Sequence, residues 1–180
     1  SHRTSTPSAR QLLVLSDNCS VSTRNLINQI GALDSSISAQ FEISLKFHPA
    51  LQDCDRITPQ FQGSLTTLPL GQLLTADTIV ITTPDTAAAL ESVCCGAPTI
   101  MIISDDELNL SPLIGLDNNL LVSGHQQLAS VLENLLSAPP LAIPSDIFWT
   151  NPHLPRWQSL FSTHLGRIVN WSSVEDDTSE

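Results

Sequence analysis

The side chains able to do chemistry in this 180-residue chain gather in three short clusters: Ser16-Asp17-Asn18, Lys46-Phe47-His48-Pro49 and Thr82-Thr83-Pro84-Asp85-Thr86. The third stands directly before Ala87 to Cys95, a small apolar stretch that reads as a helix. A helix start presents unbonded N–H groups and roughly half a positive charge, so it can hold an anion without any lysine. The hydroxyls of Thr83 and Thr86, with the N–H groups around Asp85, would then face a phosphate. His48, at a strand end, is the residue placed to donate to a phosphate oxygen. The plain alternative is that Asp85 or Thr86 only caps its helix. Glu91 is an isolated carboxylate in the same helix, where it can accept both hydroxyls of a ribose or simply face solvent.

Other chemistries find little support. The Gly-x-Gly-x-x-Gly fingerprint and the Gly-rich loop ending in Gly-Lys-Ser/Thr are both absent, which argues against NAD-binding and P-loop readings. Cys19, Cys54, Cys94 and Cys95 show no Cys-x-x-Cys spacing and no His-x-x-x-His partner, so no metal site and no cofactor is expected. They read as reduced cysteines of a cytoplasmic protein. No His-Asp or paired-carboxylate constellation points to a second catalytic centre.

The elements that must position these clusters are legible as alternation. Residues 1–10 lack apolar period and read as a linker. Leu12 to Leu15 is a short apolar run of the kind that forms a strand buried on both faces. Ser22 or Thr23 could cap a helix carrying Leu26, Ile27, Ile30 and Leu33. Phe41 to Phe47 is a second strand, stopped by His48-Pro49 because proline restrains the residue before it and cannot donate to the ladder. A short strand near Leu65 to Leu68 and a one-turn helix from Pro69 follow. Then come a strand over Thr78 to Thr83, the helix to Cys95 with Gly96 as its stop, and strands over Thr99 to Ile103 and Asn119 to Val122. Leu128, Val131, Leu132, Leu135 and Leu136 mark a last strong amphipathic helix.

Strands alternating with helices predict an α/β fold: a Rossmann-like doubly wound parallel sheet of about six strands, with helices on both faces. A C-terminal segment with Phe148, Trp149, Trp157 and Phe161, including a helix near 155–166, is expected to pack back on a single domain over 11–170. Residues 171–180 read as a disordered acidic tail.

The chain carries 18 acidic and 7 basic side chains, a formal net charge of -11. That excludes nucleic acid and anionic lipid as partners, since both need a basic footprint. No apolar run approaches the roughly 20 residues of a membrane-spanning helix. The charge is unevenly spread: residues 61–125 contain no lysine or arginine, and four acids lie in the last six residues. A single phosphate held by a helix start and His48 remains compatible with this distribution.

At these residues a family resemblance enters. Lys46-Phe47-His48-Pro49 resembles the basic-x-His-Pro motif of nucleotide-sugar glycosyltransferases of the GT-B fold, particularly bacterial sialyl- and polysialyltransferases and related surface-carbohydrate proteins. The stretch from Ala76-Asp77 through Thr82-Thr83-Pro84-Asp85-Thr86 and Glu91 to Gly96-Ala97-Pro98 is similar to their donor-site unit. The resemblance covers roughly residues 11–140. It implies that His48 contacts the donor phosphate, that Asp85 and Thr86 occupy the family's Ser/Thr pair, and that Glu91 holds the ribose. Asp85 departs from the pattern, which has a hydroxyl there. The resemblance further implies a C-terminal, donor-binding half, with the acceptor site and general base in an N-terminal half.

The expected function is thus donor binding in a glycosyltransferase of surface polysaccharide biosynthesis, with a UDP- or CMP-sugar as ligand and a carbohydrate as acceptor. His48 would be the catalytic group, and Ser16, Thr83, Asp85, Thr86 and Glu91 would bind nucleotide and phosphate. The alternatives are a nucleotide-sugar epimerase of the same fold and a degenerate, non-catalytic interaction domain.

Overall fold

The computed structural model describes residues 10–51, 61–75, 77–104, 108–114, 119–137 and 154–165. The linker reading for 1–9, the acidic tail at 171–180, and Cys54, Phe148 and Trp149 lie outside the described residues. Six parallel strands form one sheet: β1 (Arg10–Leu15), β2 (Phe41–Lys46), β3 (Ser64–Leu65), β4 (Thr78–Thr82), β5 (Thr99–Ile102) and β6 (Asn119–Val122). Their order is β3-β2-β1-β4-β5-β6. The fold is the α/β, Rossmann-like doubly wound arrangement that the alternation predicts.

β1 is central, with Leu13 opposite Ser44 of β2 on one side and Val80 of β4 on the other. Successive strand residues point to opposite faces, and the core divides accordingly. Leu12, Val14, Ile79, Ile81, Ile100 and Val122 face α1 (Ser20–Gly31), α2 (Ser35–Ser38) and α5 (His125–Ser137). Leu13, Leu15 and Val80 face the other way, onto α3 (Leu70–Leu73) and Ala88 of α4 (Ala87–Cys94). Leu12, Leu13, Ile79, Ile81 and Ile100 are wholly buried. Each such side chain stabilises the fold by about 1.5–3 kcal/mol relative to exposure.

α4 owes its seat to small residues. Ala89 and Ser92 are fully buried, and the Ser92 hydroxyl donates to the Ala88 carbonyl at 2.7 Å instead of standing unpaired. The helix ends in a Schellman motif. Ala97 N–H donates to Ser92 C=O (3.1 Å) and Gly96 N–H to Val93 C=O (3.0 Å), with Gly96 at φ 78°. Only glycine adopts that left-handed conformation without a Cβ clash.

Several boundaries differ from the sequence expectation. β2 stops at Lys46 and β3 is only two residues long. α1 begins at Ser20, ahead of the expected caps at Ser22 and Thr23. The reason is Asp17, whose carboxylate accepts from Cys19 N–H, so the turn starts earlier. Residues 1–144 and 145–180 separate into two compact units. In the second, α6 (Pro155–Leu165) stacks Trp157 on Phe161 one turn later, with ring centroids 5.7 Å apart.

Candidate functional site

In an open parallel sheet the ligand crevice lies outside the carboxyl ends of the strands where strand order reverses. Here that point is the gap between β1 and β4. The three strand ends around it are tied together beyond the ladder. The Thr82 hydroxyl donates to Leu15 C=O (3.1 Å), and Ser16 N–H donates to Lys46 C=O (3.1 Å). His48 N–H donates to Ser16 Oγ at 2.8 Å. Ser16 is buried and borders neither of the two cavities described below. Its hydroxyl fixes the His48 backbone.

His48 itself has a defined tautomer. Ala50 N–H donates to its Nδ1 at 3.2 Å, which makes Nδ1 the acceptor and leaves the ring proton on Nε2.

A cavity of about 260 Å³ opens at this end of the sheet, bordered by Asp17, Asn18, His48, Asp85, Thr86 and Glu91. The structure thus brings His48, Asp85, Thr86 and Glu91 together from two separate stretches of chain. Thr86 is the N-cap of α4, its Oγ1 accepting from Ala88 N–H at 3.2 Å, which leaves the hydroxyl proton available to a ligand. Ala87 and Ala88 lie on the same helix face as Glu91, one turn away, and border the same cavity. Asp85 and Glu91 are exposed, so their charges stay solvated.

Thr83 borders an adjoining cavity instead, together with Asp17 and Asp85. Its side chain is buried and the hydroxyl has no partner among the described residues.

Asp17 is the residue that sequence reasoning passed over in favour of Ser16. It is buried and accepts from Cys19 N–H (2.8 Å), Ser22 Oγ (2.5 Å) and Thr23 Oγ1 (3.2 Å). Three charge-assisted hydrogen bonds of this kind offset the desolvation of a carboxylate. The available signal was an Asp two residues before a Ser-rich helix start, the pattern of an Asx turn. Cys19, at the N-cap of α1, is exposed. Backbone N–H groups of Ser22 and Val21 hold its thiol below the ordinary thiol range.

No family model matches this chain, and no curated protein is significantly similar to it. Among the described residues no cluster of three or more His, Cys, Asp or Glu side chains is arranged to hold a metal ion. No described helix is long and apolar enough to cross a membrane.

What the cavity can do follows from its donors and acceptors. The His48 Nε2–H, a threonine O–H and the first N–H groups of an eight-residue helix are donors suited to phosphate oxygens. Glu91 is an acceptor suited to vicinal hydroxyls. Asp17 already accepts three hydrogen bonds and holds the loop before α1 in place, with one Oδ2 lone pair left over.

Proposed function

We propose that this chain is the donor-binding domain of a glycosyltransferase, taking a nucleotide-sugar in the cavity between the ends of β1, β2 and β4. What supports the reading is one observation: His48, just after β2, and Thr86 and Glu91, on α4, border a single cavity at the topological switch point. The nucleotide phosphate lies against the start of α4 and His48 Nε2–H, and the ribose hydroxyls donate to Glu91. As the sugar departs, negative charge develops on the phosphate, and pre-positioned N–H donors stabilise it without reorganising. The acceptor is a carbohydrate of surface polysaccharide synthesis, and the compartment is the cytoplasm of a bacterium.

Asp85 favours the second reading, a binding domain that transfers nothing. It is a carboxylate where a hydroxyl would serve a phosphate better. Its exposure limits that cost. The test is isothermal titration with UDP, CMP and GDP. One of them binds, and His48→Ala and Glu91→Ala each weaken it about tenfold, the loss of one charge-assisted hydrogen bond. Failure of all three to bind, or binding indifferent to both substitutions, overturns the proposal.

A further inference from the structure

The adjoining cavity, about 370 Å³, shares Asp17 and Asp85 with the first and continues it toward the start of α1. Its chemistry is different. One wall is aliphatic, made by Val21, Leu108 and Leu110, which are 68%, 83% and 67% exposed. Aliphatic side chains this open are raw contact surface for a ligand with an apolar face. The other wall carries the two carboxylates and Thr83, whose buried hydroxyl lacks a partner among the described residues. Among the described residues no lysine, arginine or histidine borders the cavity, and residues 61–125 contain no lysine or arginine.

We infer that this second cavity receives the sugar of the donor, and that the sugar is neutral: a hexose or N-acetylhexosamine, not a uronic or nonulosonic acid. The inference rests on the donor-site reading above and narrows it. A ligand whose phosphate sits by His48 can extend past Asp17 and Asp85, the two residues that both cavities share. A pyranose offers C–H faces to the leucines and hydroxyl donors to the carboxylates. An acidic sugar brings a third carboxylate beside two others, with no cation among the described lining residues to pair it. Selection against such a ligand works through repulsion, not through a better fit to the right one.

Cys19 reports the position directly, because it borders only this second cavity and is exposed, whereas Cys95 is exposed and borders neither. The experiment titrates UDP-glucose, GDP-mannose, UDP-glucuronate and CMP-N-acetylneuraminate into the protein, and follows carboxamidomethylation of Cys19 and Cys95 by mass spectrometry. A neutral donor binds at least about tenfold tighter than the acidic donors, the scale of one near-surface like-charge contact. At saturation it slows Cys19 alkylation several-fold more than its own free nucleoside diphosphate does, leaving Cys95 unchanged. Asp85→Asn narrows the preference for UDP-glucose over UDP-glucuronate.

Tightest binding by UDP-glucuronate or CMP-N-acetylneuraminate overturns the inference and leaves the donor reading standing. So does equal Cys19 protection by UDP-glucose and UDP. Binding of none of the four overturns the donor reading and the inference with it.

Discussion

At the scale of single residues, His48 depends on what holds it. Its backbone N–H is fixed by Ser16 and its ring by Ala50 N–H, so orientation and tautomer are set before a ligand arrives. Ser16→Ala removes a buried acceptor and leaves the His48 N–H unpaired. The expected cost is about 1–3 kcal/mol in a chemical denaturation midpoint, with nucleotide affinity lowered although Ser16 touches no ligand. Unchanged stability would show that the Ser16–His48 bond carries no weight. Cys19 gives a second check. Its thiol is held below the ordinary range by N–H groups at the start of α1, whereas burial and the neighbouring Cys95 push Cys94 up. The alkylation rate follows thiolate, so the Cys19 rate rises at lower pH than that of Cys94. Coincident pH profiles would contradict the helix-start geometry. That the clusters holding His48, Asp85, Thr86 and Glu91 meet at one end of the sheet was legible from the strand–helix alternation. Asp17 was not, because its importance comes from three donors in the turn after it, and residue type alone does not show which acid the chain will wrap around.

At the scale of elements, α4 carries the site, and its two ends are held by different devices. Thr86 caps the start and Gly96 ends it in a left-handed turn. Gly96→Ala forces a Cβ into that conformation and is expected to destabilise the protein by about 1–2 kcal/mol, read as a lowered Tm; an unchanged Tm would show that the turn is not strained. The buried strands were readable as apolar runs because a central parallel strand has no solvent face to alternate with. The start of α1 was misplaced for a physical reason: the Ser22 and Thr23 hydroxyls donate to Asp17 instead of accepting from their own helix. α2 and β3, at four and two residues, fall below what local propensity can specify. Such short elements exist only through the packing around them.

At the scale of the whole molecule, the sheet order creates the crevice and the charge sets its character. A net charge of -11 repels a nucleotide at long range, while short-range N–H and O–H donors hold it. Added salt screens the repulsion more than the buried contacts. Raising sodium chloride from about 50 to about 300 mM is therefore expected to leave nucleotide affinity unchanged or to increase it. A loss of affinity with salt would mean that a basic patch supplies the binding. The strand–helix alternation, and with it the doubly wound parallel sheet, was plain in the sequence. The junction of two chemically different cavities at Asp17 and Asp85 was not, since it arises only where loops after β1, β4 and β5 meet.

The most direct measurement is the titration of UDP, CMP and GDP into the wild-type chain and the His48→Ala and Glu91→Ala variants, each shown to be folded by its Tm. The account expects one nucleotide to bind and both variants to bind it about tenfold more weakly with Tm preserved. Folded variants that bind as tightly as wild type, or a wild type that binds none of the three, would contradict it.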